Sequence, residues 1–307
     1  MRMYSNRFCL AIILFAMGTL VFSAGTQEFP AASVEEKPTV VVSILPQRYF
    51  IERIGGDLVN LLVLVGEGQS PHTYEPTPSQ MSRLASADIW FLSGTDFEIA
   101  LESKIRSLYP NLSIVDGTAG VAFRLMEAHG HHEEDDNHGH GHDQTENIDR
   151  HTWLGKQPAL IMAGHIAEQL ALELPAKRAV IEARHQELII EIEAVFSQLS
   201  AQLSPLHGRT IFVYHPAFGY FFDEFGIIQE AVETGGKEPT AKVLTELIEN
   251  ARQENVAAIF VQKQFPVNAA RTVANAVGAE VVALDPLDPD WIENVKNIGK
   301  ALLDSTH

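Results

Sequence analysis

The chain has 307 residues, of which 46% are hydrophobic, 20% charged and 8% aromatic. This composition is typical of a globular protein and excludes a fibre, a disordered tail and a protein with many membrane spans. Lysine and arginine number 22 against 40 aspartate and glutamate residues, so the formal net charge is −18 at pH 7. A nucleic-acid binder needs a cationic surface, whereas this charge balance favours cations as partners.

The first 24 residues have the pattern of a secretory signal peptide. Arg2 and Arg7 form a basic start, residues 10–22 are apolar, and the small residue Ala24 follows. The apolar run is shorter than the roughly 20 residues of a membrane anchor, so we expect cleavage near its end and export. Cys9 is the single cysteine and lies in this leader, which predicts a mature chain without disulfide bonds.

Residues 37–174 alternate between two kinds of segment. Short apolar runs rich in β-branched residues predict buried strands of a parallel sheet, and the segments between them have helical spacing. The predicted strands are 39–45, 59–65, 88–92 and 112–115, and the predicted helices are 47–54, 79–87 and 96–107. This alternation predicts an N-terminal α/β lobe.

The same alternation begins again later and predicts a second α/β lobe over 208–307. Its predicted strands are 210–214, 227–232, 257–261 and 280–284, and its predicted helices are 240–253, 268–277 and 291–303. Between the lobes, residues 175–204 carry apolar residues at helical spacing, which predicts a linking helix roughly 40 Å long. The predicted fold is therefore two similar α/β lobes joined by a long helix.

One segment of the first lobe, 127–149, differs in composition from the rest. It holds eight acidic residues, six histidines and no lysine or arginine. Such a tract buries too little apolar surface to fold, so we expect a disordered surface loop. Imidazole is a good zinc ligand, and the loose spacing predicts weak, auxiliary metal capture, with a solvated acidic linker as the alternative. The six histidines are His129, His131, His132, His138, His140 and His142.

Four other residues stand beside loops or strand ends. His215 and Asp285 directly follow predicted strands, where open α/β sheets place their ligands. His72 lies in a proline-rich loop, and His151 lies in the segment DRHTWL at 149–154. Spacing alone does not bring these residues together, and an isolated histidine is more often a hydrogen-bonding residue than a ligand.

Several motifs resemble the solute-binding proteins of zinc and manganese ABC importers, the ZnuA-like family. They are GQSPHTYEPTPS at 68–79, DRHTWL at 149–154, YHPAFGYF at 214–221, GGKEP at 235–239 and VALDPL at 282–287. The resemblance covers essentially the whole mature chain, and the histidine-rich tract lies where zinc-type members carry theirs. One departure is VQKQF at 261–265, where family members usually show an acidic residue before the Gln-Phe pair.

The resemblance implies a single metal site shared by the two lobes. His72 and His151 would supply nitrogens from the first lobe, while the second lobe would supply a nitrogen from His215 and a carboxylate oxygen from Asp285. Four such ligands complete the tetrahedral shell that zinc prefers. A zinc hydrolase keeps a position for water and often carries a His-Glu-x-x-His helix, which this sequence lacks. We therefore expect a carrier and not an enzyme.

The expected protein is periplasmic or otherwise extracytoplasmic, binds zinc ion with high affinity, and delivers it as a monomer to the permease of an ABC importer. The alternative within transport is a manganese carrier. Alternatives from other classes are a zinc-dependent hydrolase and a surface metal buffer or adhesin. Four remaining histidines are expected not to bind metal. They are His165, His185, His207 and His307.

Overall fold

The computed structural model describes residues 36–126, 148–233, 239–265 and 268–305. The described residues from Lys37 onward belong to one compact unit. The predicted signal peptide, the six histidines of the tract and most of the GGKEP segment lie outside the described residues. Within the described ranges, no helix is both long enough and apolar enough to cross a membrane.

The N-terminal lobe contains four parallel strands in the order β2-β1-β3-β4. The strands are β1 (Thr39–Val42), β2 (Asn60–Val63), β3 (Ile89–Leu92) and β4 (Ser113–Asp116). Helices α1 (Leu45–Ile54), α2 (Pro78–Ala85) and α3 (Asp96–Leu108) connect them. The register places Val41 of β1 between Leu62 of β2 and Trp90 of β3. All four residues of β3 are buried, as expected for a sheet covered on both faces.

The C-terminal lobe repeats this topology, with four parallel strands in the order β6-β5-β7-β8. The strands are β5 (Thr210–Val213), β6 (Ile228–Ala231), β7 (Ala258–Gln262) and β8 (Glu280–Leu284). Helices of this lobe are α6 (Gly219–Asp223), α7 (Ala241–Gln253), α8 (Asn268–Val277) and α9 (Trp291–Asp304). In each sheet the first strand in the chain therefore lies between the second and the third.

A long helix, α5 (Arg178–Leu203), connects the lobes. It packs against α1 and α4 (Lys156–Glu173) of the first lobe and against α9 of the second. Its 26 residues span about 39 Å at 1.5 Å per residue. Two similar parallel α/β lobes and a long helix between them confirm the predicted fold class. The helix begins three residues later than predicted, because Pro175–Lys177 form a 3₁₀ turn.

Two helices were absent from the sequence prediction. Helix α4 buries small residues such as Ala159, Ala163 and Ala167 against its neighbours, and alanines give a weaker amphipathic signal than large apolar residues. Helix α6 has five residues, too few for a periodic pattern to be visible. Residues that position the metal site described below lie on α6 and on the turn that precedes α4.

The two lobes share one apolar core that extends from the N-terminal sheet to α9. At its centre, Trp291 Nε1 donates to Trp153 O at 2.6 Å, and Trp153 Nε1 donates to Pro286 O at 2.7 Å. The ring of Trp291 also lies 5.0 Å from that of Phe50 in α1. These contacts fix the second lobe against the loop that carries His151, so the crevice between the lobes has a defined width.

Candidate metal centre

Three histidines from distant parts of the chain meet in the crevice. The Nε2 atoms of His72 and His215 are 3.1 Å apart, those of His72 and His151 3.3 Å, and those of His151 and His215 3.0 Å. Among the described residues, this is the one group of three or more His, Cys, Asp or Glu with ligand atoms all within 4.8 Å of one another. The structure therefore brings together the three histidines of the sequence prediction.

Each histidine has a carboxylate at its other ring nitrogen. The Nδ1 atom of His72 lies 3.2 Å from Asp96 Oδ2, that of His151 lies 2.8 Å from Asp149 Oδ1, and that of His215 lies 2.7 Å from Glu233 Oε1. These hydrogen bonds join the triangle formed by the three histidines to three described carboxylates. An ionised carboxylate accepts a hydrogen bond from Nδ1–H, so each ring carries its hydrogen on Nδ1 and leaves a lone pair on Nε2. Three lone pairs thus converge on one point, an arrangement that a cation stabilises.

His72 is the most accessible member of the triangle. It lies in a 3₁₀ turn, Pro71–Thr73, and its backbone N–H donates to Ser70 Oγ at 3.3 Å. Its partner Asp96 is the first residue of α3 and also pairs with Arg150 Nε at 3.2 Å. Hydrogen bonding to His72 holds the pKa of Asp96 below its usual range, against a smaller opposing effect of burial. Asp96 is therefore ionised at neutral pH.

The orientation of His151 depends on a fully buried carboxylate, Asp149. Its Oδ1 accepts from both the Nδ1 and the backbone N–H of His151, and its Oδ2 accepts from Arg124 Nη1 at 2.8 Å. Burial alone would raise the pKa of Asp149, but these hydrogen bonds hold it below its usual value. Arg124 also pairs with Asp223 of α6 at 3.0 Å, so the C-terminal lobe helps to fix a histidine of the N-terminal lobe.

Gly219, the first residue of α6, makes this contact between the lobes possible. A Cβ atom at this position would lie 1.6 Å from Arg124 Nη1 and 2.9 Å from Asp149 Oδ2, both closer than van der Waals contact allows. The chain therefore requires a residue without a side chain where Arg124 crosses α6.

His215 lies at the carboxyl end of β5, between the ends of two neighbouring strands. Gln262, at the end of β7, accepts from the backbone N–H of His215 at 3.2 Å and donates to its carbonyl at 2.6 Å. Glu233 follows β6, and the ring of Phe265 stacks on His215 with centroids 4.5 Å apart. Burial lowers the pKa of His215 to about 4, although the hydrogen bond that its Nδ1 donates to Glu233 opposes this shift. The ring is therefore neutral and able to bind a metal ion at neutral pH.

Asp285, the fourth residue of the sequence prediction, follows β8 at the same edge of the sheet but lies outside the group of three histidines. Its Oδ1 accepts from Gln264 Nε2 and from the backbone N–H of Leu287, both at 3.0 Å. Its Oδ2 lies 3.4 Å from Lys263 Nζ. Ligation by Asp285 thus stays a prediction that requires at least one carboxylate oxygen, Oδ2, to exchange Lys263 for the ion.

A cavity of about 20 Å³ adjoins the three histidines. This volume holds one occupant of the size of a water molecule. Residues from both lobes line it, including His72, His151, His215, Gln264, Pro286 and Leu287. The site therefore accommodates a single ion rather than a larger solute.

Sequence reasoning missed the three carboxylates that orient the histidines. Asp149 was recognisable, because it lies two residues before His151 in the same motif. Asp96 and Glu233 gave no local signal, since they are 24 and 18 residues from their partners. Glu75, which is close to His72 in the sequence, is not one of the described carboxylates that bind a histidine Nδ1. His165 and His185 also lie outside the group of three.

Comparison with known proteins identifies the family. The chain matches the family described as "ZnuA: Zinc-uptake complex component A periplasmic" over residues 40–304. Because the match covers most of the chain, the protein belongs to this family of metal-binding solute-binding proteins, which is not an enzyme family. The resemblance seen in the sequence motifs is thereby confirmed.

Individual relatives agree with this assignment. The crystal structure of a ZnuA superposes with a TM-score of 0.80 at 32% identity, covering 89% of this chain and 100% of that one. A putative metal-binding protein of Chlamydia muridarum is 25% identical over 296 residues, which are 96% of this chain and 99% of the relative. The zinc-binding lipoprotein AdcA of Streptococcus pneumoniae is 25% identical over 263 residues. That match covers 85% of this chain but only 52% of AdcA, so the chain spans about half of that relative.

The low pKa of His215 predicts how the stability of the metal-free protein depends on pH. The ordinary pKa of histidine is about 6.5, so the unfolded chain takes up a proton first as the pH falls. Stability is therefore fully present above pH 6.5 and is lost as the pH falls towards 4. Between pH 7 and pH 5, we expect the wild type to lose about 1–2 kcal/mol more free energy of unfolding than His215→Asn.

Urea denaturation in the presence of a chelator measures this difference. The control is His165→Asn, which lies outside the triangle and should follow the wild type at both pH values. An equal loss in the wild type and His215→Asn would show that His215 does not titrate in this way.

Proposed function

We propose that the protein captures zinc outside the cytoplasm and delivers it to an ABC importer. Family membership supports a role in transport. The choice of zinc as the ion rests on the triangle that the three Nε2 atoms form. Tetrahedral coordination with Zn–N distances of about 2.05 Å separates two ligand nitrogens by about 3.3 Å. The three edges measure 3.0–3.3 Å. His72, His151 and His215 therefore need only sub-ångström movement to hold zinc.

The donor chemistry favours zinc over manganese. Manganese prefers carboxylate, carbonyl and water oxygens, whereas imidazole nitrogen suits zinc. The three converging donors are all nitrogens. The carboxylates of Asp96, Asp149 and Glu233 accept hydrogen bonds from the Nδ1 atoms. These hydrogen bonds make the Nε2 atoms better electron-pair donors to a metal ion. Asp285 is the carboxylate that we propose to complete the shell, and it supplies one oxygen only if it moves inward.

The hydrogen bonds between these carboxylates and the histidines also support metal binding rather than catalysis. A hydrolytic zinc enzyme needs an exchangeable water and a carboxylate or histidine free to act as a general base. Within the described part of the site, Asp96, Asp149 and Glu233 each hold a ligand ring in place. We therefore propose that the protein is not an enzyme.

Other parts of the proposal rest on the sequence and on the relatives. The apolar leader and the periplasmic or lipoprotein character of the relatives support an extracytoplasmic location. Family membership supports a membrane permease as the partner. We propose that the protein reaches this permease as a monomer with zinc bound. We propose the histidines of the 127–149 tract as auxiliary, weak metal ligands on the basis of their composition.

Replacing a histidine of the triangle by alanine should weaken the tight zinc site strongly. Each variant loses one donor to the ion, so we expect affinity to fall by more than about 100-fold, beyond the 10–100-fold loss typical of an outer partner. Asp285→Ala should lose less, because its carboxylate lies outside the triangle. Competition with a fluorescent chelator measures these constants.

Two variants of other histidines serve as controls for this titration. His165→Ala and His185→Ala should bind zinc within about twofold of the wild type, since neither ring reaches the triangle. Wild-type affinity in His215→Ala would refute the shared site.

Zinc should displace manganese when both ions are present at equal concentration. Raw affinity for nitrogen ligands rises from manganese to zinc, and the triangle offers three nitrogens. Elemental analysis after gel filtration should find zinc in the tight site. Manganese retained against equimolar zinc would reject the zinc assignment and support the manganese carrier.

A further inference from the structure

The side chains of the segment Gln262–Phe265, where the sequence departs from the family pattern, contact either His215 or Asp285. Gln262 fixes the backbone of His215, and Phe265 stacks on its ring. Gln264 and Lys263 both contact Asp285, on different carboxylate oxygens. The segment therefore positions the third histidine and Asp285, the carboxylate proposed to complete the shell.

The two oxygens of Asp285 are held unequally. Oδ1 accepts two hydrogen bonds at 3.0 Å, from Gln264 Nε2 and from the backbone of Leu287. The backbone of Asp285 is also fixed, because its carbonyl accepts from Asn294 Nδ2 at 2.7 Å and the next carbonyl, of Pro286, accepts from Trp153. Among the described residues, Oδ2 contacts the ammonium group of Lys263, whose Nζ lies 3.4 Å away. Oδ2 is thus the oxygen of Asp285 with fewer described contacts.

Lys263 is the more exposed partner in this pair. Its side chain is 65% exposed, whereas that of Asp285 is 18% exposed. An exposed ammonium group regains its hydration when it leaves a carboxylate, so the pair is weak and easily exchanged. Asp285 Oδ1, in contrast, accepts two further hydrogen bonds, and the neighbouring residues Gln264, Pro286 and Leu287 line the cavity.

We propose that Lys263 competes with the bound ion for Asp285 Oδ2 and thereby lowers the affinity of the site and speeds release. This inference rests on the proposed function. While Lys263 holds Oδ2, the ion has three nitrogens and a water. Gln264 lines the cavity, and its Oε1 is buried without a hydrogen-bond partner among the described residues, so it is available to accept from that water. When Lys263 turns into solvent, Asp285 closes the shell.

The test is a double-mutant cycle on zinc affinity. Lys263→Met keeps the length of the side chain and removes the charge, so we expect zinc to bind about twofold to fivefold more tightly, the range of an exposed ion pair, mainly through slower release. In an Asp285→Asn background the same substitution should have no effect, because the contested oxygen is gone. Chelator competition gives the affinity, and stopped-flow chelation gives the release rate.

Two further variants make the cycle specific. Lys296→Met breaks another exposed pair of 3.4 Å, with Glu293 on α9, and should leave zinc binding unchanged. Lys263→Arg keeps the charge and should keep affinity close to that of the wild type.

Unchanged affinity in Lys263→Met would overturn the proposal. A gain that persists with Asp285→Asn would overturn it as well, because Lys263 would then act by general charge and not through Asp285. Failure of the proposed function gives a different result, namely zinc binding that is insensitive to His151→Ala in the same titration.

Discussion

The structure depends on one electrostatic constraint, the convergence of three Nε2 lone pairs within 3.3 Å of one another. Without a cation these lone pairs repel, and the three rings stay in place because a carboxylate binds each Nδ1. Two of those carboxylates, Asp149 and Glu233, are buried together with their histidines. This arrangement therefore lowers the stability of the metal-free protein, because its geometry is favourable only when a cation is bound.

The fold places these groups by simple topological means. The parallel strands of a sheet all end at the same edge. In the C-terminal sheet, residues at or just after the ends of β6, β5, β7 and β8 therefore lie side by side, namely Glu233, His215, Gln262 and Asp285. The shared core and the paired Trp153 and Trp291 then set the distance between this edge and the loops of the first lobe. Helix α5, which contacts both lobes, makes a hinge stiffer than a flexible loop.

Much of this architecture was predictable from the sequence. The strands, the long helix and the three histidines carry local signals, namely apolar runs, helical spacing and family motifs. Two partners of the histidines, Asp96 and Glu233, were not predictable, because the order of the strands and not a spacing in the sequence brings them close to the histidines. Asp285 was correctly expected at the end of β8, but its contacts depend on the side chains of Lys263 and Gln264, which no periodic pattern reveals. Helix α4 was missed because it packs through alanines.

Zinc K-edge X-ray absorption tests the central claim most directly, using protein loaded with slightly less than one equivalent of zinc so that the tightest site is filled. Convergence of the three lone pairs predicts four nitrogen or oxygen neighbours at about 2.0–2.1 Å, with multiple-scattering features that require three imidazoles. A shell of six oxygens, or a spectrum fitted by fewer than three imidazoles, would show that the triangle of His72, His151 and His215 is not the zinc site.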